Sequence, residues 1–520
     1  MNKTYAYYEH KKIENVYELL TFNYKKNKDK TAFMFKDNNK LITKSYEDFY
    51  LDVEQLSNYL SNQYNNKNIA IIGTNSYNYL VVFFAIILSK NIAVVIDKDL
   101  DLNSIKHMLN KSESKIVFYS KDYCNIDDVI TKTISYDLKD ISNLKCEKNN
   151  VKILDNKKNN ATAVIFFTSG TTGVNKGVML SEKNIVADIY SACSIFKPNG
   201  LVFSCLPFHH AFGLITGVLM PFYYNVPVFI NSSLKKMMLE LAESQPNTMF
   251  VVPAFIEMFY KQIWKSARKN KKDKSLKLLL MISKNLQYLN IDLRKVFFKS
   301  ILKNFGGNLE YIICGGAQLD TKYVKWFRSV GINILNGYGI TECSPVVAVN
   351  RNHFYKDGSV GQLVKDIDVK IIDNEIWVKG DIVMLGYYKD EQSSKQVMHN
   401  GYFNTGDFGY LDKDNFLYIT GRKKNIIVLS NGENISPEEI ENELSKDKGV
   451  CEVIVSKRNN QLIAQIYPNE DYIGNISYFN GLIYRYNKKV PKNHQLADVE
   501  LRNTEFPKNN NRKIIRTKGS

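Results

Sequence analysis

What this chain lacks narrows the field before any motif is read. Its seven cysteines (Cys124, Cys146, Cys193, Cys205, Cys314, Cys343 and Cys451) form no Cys-x-x-Cys pair. An odd number of scattered thiols, several inside apolar runs, suits a reducing compartment better than disulfides or zinc. The N-terminal stretch MNKTYAYYEHKKIENVYELL has no apolar signal-peptide core. The longest strongly apolar run, residues 79–88, falls short of the roughly 20 residues that span a bilayer and reads as a buried helix. A cytoplasmic protein is therefore expected. No G-x-S-x-G elbow occurs, and the paired H-R-D and D-F-G set of protein kinases is absent because no H-R-D occurs. Neither a G-x-G-x-x-G fingerprint nor a Walker loop is present. There is no internal repeat.

What is present is an ordinary globular composition with 44% hydrophobic and 24% charged residues in 520. That is enough for a large core and two to four folding units. The formal net charge is +17, a field that attracts polyanions. Lys, Asn, Ile and Tyr are all abundant, so a solvated basic surface is the preferred reading. No nucleic-acid-reading motif accompanies it, and no nucleic-acid partner is expected. One run is focused: Lys265, Arg268, Lys269, Lys271, Lys272, Lys274 and Lys277, next to Trp264 and to Leu278, Leu279, Leu280 and Met281. A solvated loop between two helices is preferred here, with peripheral contact to an anionic membrane kept as the alternative.

The pattern along the chain predicts an α/β fold. Residues 68–72 (NIAII), 92–96 (IAVVI) and 115–119 (KIVFY) read as buried strands alternating with helices at 78–88 and 104–110. Such alternation argues for parallel sheets covered by helices. Residues 137–160 are polar and expected to loop outward. Strands follow at 163–167, 201–206, 226–230, 248–252 and 309–314. From Gly358 the texture turns to short alternating strands at 369–372, 375–379 and 416–420, a smaller β-rich part. Gly421-Arg422-Lys423-Lys424 reads as a boundary. Ser436-Pro437-Glu438-Glu439 then opens a helix with a capping serine, an N1 proline and acids in the first turn. The expected organisation is a large domain, 1–423, holding two α/β subdomains and a small β-rich subdomain. A small mobile α+β domain, 424–520, follows it.

The strand at 163–167 runs into Thr168-Ser169-Gly170-Thr171-Thr172-Gly173-Val174-Asn175-Lys176-Gly177. Glycines let backbone approach an anion, and N–H groups, hydroxyls and a lysine can then bind phosphate oxygens. The segment resembles the signature loop of the adenylate-forming (AMP-binding) superfamily, with Asn175 where the family usually has proline. Further segments match in the family's order: Leu206-Pro207-Phe208-His209-His210-Ala211-Phe212-Gly213, Cys314-Gly315-Gly316-Ala317, Asn336-Gly337-Tyr338-Gly339-Ile340-Thr341-Glu342, Thr405-Gly406-Asp407, Gly421-Arg422-Lys423-Lys424, and Pro507-Lys508 through Arg512-Lys513-Ile514. The family usually has glycine where Arg512 stands. The resemblance covers nearly the whole chain and is nearest to medium- and long-chain fatty acyl-CoA synthetases.

The resemblance implies a site for ATP and Mg²⁺. Thr168, Ser169, Gly170, Thr171, Thr172, Gly173 and Lys176 would hold phosphates. Gly315, Gly316, Ala317, Asn336, Gly337, Tyr338 and Gly339 would border the adenine, with Tyr338 offering a flat face. Asp407 would accept the ribose hydroxyls, with Tyr418 and Arg422 beside it. Glu342, a hard oxygen donor, and Thr168 are the implied metal ligands. Lys513 would be the catalytic lysine, with Thr341 and Glu342 at the α-phosphate and His210 gating the acyl pocket. The implied reaction is activation of a carboxylic acid to acyl-AMP, then transfer to a thiol. CoA is the expected co-substrate, and a carrier-protein phosphopantetheine the alternative acceptor. Amino-acid-activating relatives place an aspartate within the 207–213 motif, and this chain has none. A buried ammonium there would lack a counter-charge, which leaves a fatty acid, or an aryl acid as the alternative.

Overall fold

The computed structural model describes residues 6–122, 126–130, 133–144, 160–168, 175–429, 434–458, 461–508, 514 and 516. A first sheet is parallel at its centre. Asn68–Ile72 lies between Ile92–Ile96 and Ile116–Tyr119, and Thr162–Thr168 (β1) continues beside Ile92–Ile96. Lys176–Ser181 (β2) returns antiparallel to β1, and the short strand Gly386–Tyr387 pairs with β2 at the edge. Both faces of the central strands are covered, which is why they read as unbroken apolar runs. The apolar run seen in the sequence is the helix Tyr77–Leu88 (α1), capped by Ser76. Phe84 of α1 meets Phe49 edge-on at 5.2 Å and Phe222 at 6.1 Å. A helix packed on all sides has no need of a polar face.

The second sheet runs parallel through Val228–Ile230, Val202–Ser204, Thr248–Val251, Tyr311–Cys314 and Asn333–Gly339 (β3). The strand β3 changes partner midway. Its first half pairs in parallel with Tyr311–Cys314, and from Gly337 it pairs antiparallel with Val346–Val349 (β4). The other edge is an N-terminal hairpin, Thr31–Asp37 with Lys40–Ser45, that pairs with Val228–Ile230. The two sheets share one continuous core.

Two expectations are corrected here. The basic run at 265–277 is helical, not a loop: Pro253–Lys269 (α2) and Asp273–Tyr288 (α3) leave only residues 270–272 as a turn. Within 137–160, Leu138–Asn143 forms a 3₁₀ turn with Leu138 and Ile141 buried, so that segment packs inward before it reaches residues outside the description.

A third sheet contains Ile367–Ile372, Glu375–Gly380, Tyr402–Leu411 (β5) and Leu417–Arg422 (β6). Beyond it, Val450–Arg458, Gln461–Pro468 and Leu496–Leu501 form a three-stranded sheet among the described residues. The helices Pro437–Leu444 and Ile476–Asn487 close a separate apolar core on that sheet through Ile440, Leu444, Phe479 and Leu482.

Candidate active site

Asp407 and Arg422 face each other across β5 and β6. The Asp407 carboxylate is 1% exposed. The Arg422 Nε–H donates to its Oδ1, Nη2–H donates to Oδ2 at 3.3 Å, and the Tyr338 hydroxyl donates to Oδ2 at 2.7 Å. The preceding turn is fixed as well. Asp407 N–H donates to Thr405 Oγ1 at 3.1 Å, and Gly406 N–H donates to Asn404 Oδ1 at 2.8 Å. Burial alone would lower the Arg422 pKa, but the charge and hydrogen bonds of Asp407 outweigh it and raise the value. The Tyr338 phenol is pushed well up, first by burial and then by the Asp407 charge. Carboxylate oxygens offer about four lone-pair directions, so Asp407 keeps acceptor capacity for ribose hydroxyls.

Glu342 sits just past the end of β3, in the 3₁₀ turn Thr341–Cys343. Ile340 N–H donates to the Pro345 carbonyl at 2.9 Å to close this turn. A Cβ on Gly339 would lie 2.1 Å from that same carbonyl oxygen. Gly339→Ala is therefore expected to lower stability by about 1–3 kcal/mol; an unchanged denaturant midpoint would show that the turn can open at no cost. The Glu342 side chain is 8% exposed, and its Oε1 accepts from the Tyr387 hydroxyl at 2.9 Å. Burial raises its pKa, opposed by its own backbone N–H, Tyr387 and the Arg422 charge.

Lys176 joins this group through Tyr387, with its ammonium 4.6 Å from the ring centroid. Tyr387 was not found in the sequence. Its signal is structural, since it pairs opposite Val178 at the edge of β2. Lys111 is a second residue that sequence reading missed; its ammonium donates to the Asn175 carbonyl at 2.9 Å. Thr168 and Lys176 are directly paired at the ends of β1 and β2, and Thr168 Oγ1 donates to the Lys176 carbonyl at 3.4 Å. Ser169, Gly170, Thr171, Thr172 and Gly173 lie outside the described residues, and so does Lys513.

Gly315, Gly316 and Ala317 follow the strand Tyr311–Cys314, whose Cys314 pairs with Asn336 of β3. These residues stand at the carboxyl ends of parallel strands, where open α/β sheets bind ligands. Gly316 has φ +83°, and a Cβ on Gly315 would meet the Phe212 ring at 3.2 Å. Phe212 begins a π-helix, Phe212–Leu219, a form common at functional sites. His210 sits in the turn before it; its N–H donates to the Pro207 carbonyl at 3.2 Å. The His209 Nε2 lies 3.5 Å from Asp97 Oδ1, and burial lowers its pKa against the pull of Asp97. Among the described residues no cluster of three His, Cys, Asp or Glu could hold a metal. The Tyr418 ring stacks on that of Tyr410 at 5.0 Å and 6°.

The structure thus gathers Tyr338, Asp407 and Arg422 into one cluster, and Lys176, Tyr387 and Glu342 into a second. The positive charge of Arg422 works against the upward push that burial gives the Glu342 pKa. The chain matches the AMP-binding enzyme family over residues 20–388, and it belongs to that family. Among curated relatives it is 29% identical over 311 residues to a long-chain-fatty-acid–CoA ligase of Mycobacterium bovis, covering 56% of this chain and 52% of that protein. It is 30% identical over 338 residues to long-chain-fatty-acid–CoA ligase 5 of Mus musculus, covering 59% and 49%. The chain spans about half the length of the curated relatives it matches. In fold it resembles the o-succinylbenzoate CoA synthetase of Bacillus subtilis holding its acyl-adenylate, with TM-score 0.75 and 19% identity over 96% of each chain. It also resembles an anthranilate CoA ligase holding anthranoyl-AMP, with TM-score 0.78 and 16% identity over 98% of this chain and 96% of that one.

Proposed function

We propose that the chain is an AMP-forming acid–thiol ligase acting on a medium- or long-chain fatty acid, with CoA as the acceptor. The observation that carries this reading is the buried Asp407 carboxylate, held by Tyr338 and Arg422. The names of the curated relatives support the fatty acid.

In the first step a carboxylate oxygen attacks the α-phosphorus of ATP. The acyl–O–P bond forms, the bond to the β-phosphate oxygen breaks, and pyrophosphate leaves. Asp407 orients the ribose and Tyr338 borders the base. Lys176 and Arg422 oppose charge on the phosphates, fixed before the reaction starts. Glu342 is the residue that would hold Mg²⁺; one carboxylate suffices, because the ion takes its other oxygens from phosphate and water. When bound, Mg²⁺ neutralises phosphate charge. In the second step the thiol sulfur attacks the acyl carbonyl, its proton is lost, and AMP leaves.

We place the domain boundary at Lys424 and assign the C-terminal part the mobility that two half-reactions require. Its separate core supports this. So do its exposed polar contacts with the large part: Lys322 to the Ser445 carbonyl at 3.0 Å, and Asn442 to Gln318 at 2.8 Å. Lys513 is the proposed lysine for the first step. Lys513→Ala should abolish ATP–pyrophosphate exchange yet leave thioester formation from supplied acyl-AMP nearly intact; equal loss of both would reject the two-step assignment. Pyrophosphate exchange across a panel of fatty, aryl and amino acids, with CoA and a carrier protein compared as acceptors, tests the whole reading. No ATP turnover with any acid in the panel would end it.

A further inference from the structure

Between Lys265 and Lys303 the sequence has twelve Lys or Arg and two acidic residues, Asp273 and Asp292. Asp292 is paired with Arg294, its carboxylate accepting from Nη2–H at 2.7 Å. This segment comprises the end of α2, all of α3, the short helix Arg294–Phe297 (α4) that follows, and the helix Lys299–Lys303. The helix α3 has two unlike faces. One packs inward through Leu276 and Ser283, with Leu279 and Leu280 half-buried against the core. The other should be polar in a solvated helix, but it carries Leu278, Met281 and Ile282 at helical spacing, continued by Tyr288, Leu289 and, on α4, Val296. Leu278, Met281, Tyr288, Leu289 and Val296 are between 53% and 77% exposed. Lys274, Lys277 and Lys284 are interleaved with them on α3, and Lys295 stands beside Val296.

A set of exposed apolar side chains rimmed by cations marks an interaction surface. We propose that the outer face of α3 and α4 docks on an anionic phospholipid bilayer. The charge decides the occupant. A second copy of the chain would bring two strongly basic faces together, and nucleic acid gives no reason to expose Leu, Met, Ile and Val. Anionic headgroups complement the lysines, while the apolar side chains enter the headgroup–acyl boundary. Lysine stems can lie along the apolar surface with their ammonium groups at headgroup level. The inference is independent of the ligase reading, because it requires neither ATP nor an acid.

The test is co-sedimentation of the full chain, without nucleotide, with vesicles of phosphatidylcholine alone and vesicles with a third of it replaced by phosphatidylglycerol. Binding should favour the anionic vesicles by about tenfold or more and weaken as salt rises. Leu278→Asp with Met281→Asp should lose about tenfold or more of that binding. Lys274→Gln with Lys277→Gln and Lys284→Gln should lose the preference for anionic lipid and the salt dependence. All these positions are exposed, so unchanged thermal midpoints are expected in both variants. Equal binding to both vesicle types, no binding, or unaltered binding by either variant would overturn the proposal. Wild-type self-association that the aspartate variant abolishes, without vesicle binding, would overturn it too, by assigning the face to a second copy.

Discussion

Asp407→Ala is expected to lower kcat/KM for ATP by about 10²–10³-fold, a loss typical of removing one fixed polar group from a transition-state site. The carboxylate is almost fully enclosed and accepts from both Tyr338 and Arg422. Alanine removes the proposed ribose acceptor and releases the two side chains that flank it. Stability should fall less steeply than activity. Breaking a fully buried ion pair costs about 3–5 kcal/mol, but Arg422 is 39% exposed and can turn its charge to water. About 1–2 kcal/mol is the expected loss, including the acceptor removed from the Tyr338 hydroxyl. Asp407→Asn keeps the shape but presents an amide N–H₂ toward a donor, so it should not restore activity. Pyrophosphate exchange at varied ATP separates the outcomes: a change below about tenfold would place the nucleotide elsewhere.

Glu342→Gln should have opposite effects on activity and stability. Exchange activity is expected to fall by about 10²-fold or more if Glu342 holds Mg²⁺ as proposed, because an amide is a weaker ligand than a carboxylate. Stability should rise at neutral pH. Burial raises the Glu342 pKa in the folded chain, so the folded state takes up a proton more readily than the unfolded one. Above the folded pKa the buried charge destabilises the fold. As pH falls through the folded pKa toward the unfolded value, this penalty disappears. Glutamine never carries the charge and still accepts from the Tyr387 hydroxyl. The variant should melt higher than wild type at neutral pH, with the difference fading below the ordinary carboxylate range. A lower melting point at neutral pH would mean that the negative charge of Glu342 is itself stabilising the fold.

Much of the architecture was legible where burial is two-sided. Residues 68–72 and 92–96 are continuous apolar runs ended by turns, and they are strands with those bounds. The hairpin Thr31–Asp37 with Lys40–Ser45 has no clear strand alternation in the sequence; its one sequence signal is the dipeptide Asn38-Asn39 at the turn, both of which take positive φ. The charge of the basic run suggests a loop, but only the turn around Lys271, at φ +55°, breaks the helix. Site residues inside motifs could be named from sequence, and Tyr338, Asp407 and Arg422 do meet. Tyr387 could not be named: it is 45 positions from Glu342, and only the folding of a later strand onto β2 brings it there.

Tyr338 and Asp407 belong to different sheets. Their hydroxyl–carboxylate bond is therefore a stitch across a seam, not a detail within one strand ladder. A nucleotide gripping both sides would act as a removable cross-link. At a hundredfold excess over its dissociation constant, a ligand that binds only the folded state adds about 2.7 kcal/mol. Here that gain would fall on the seam itself, so a bound nucleotide would set how firmly the β-rich part is held to the parallel sheet.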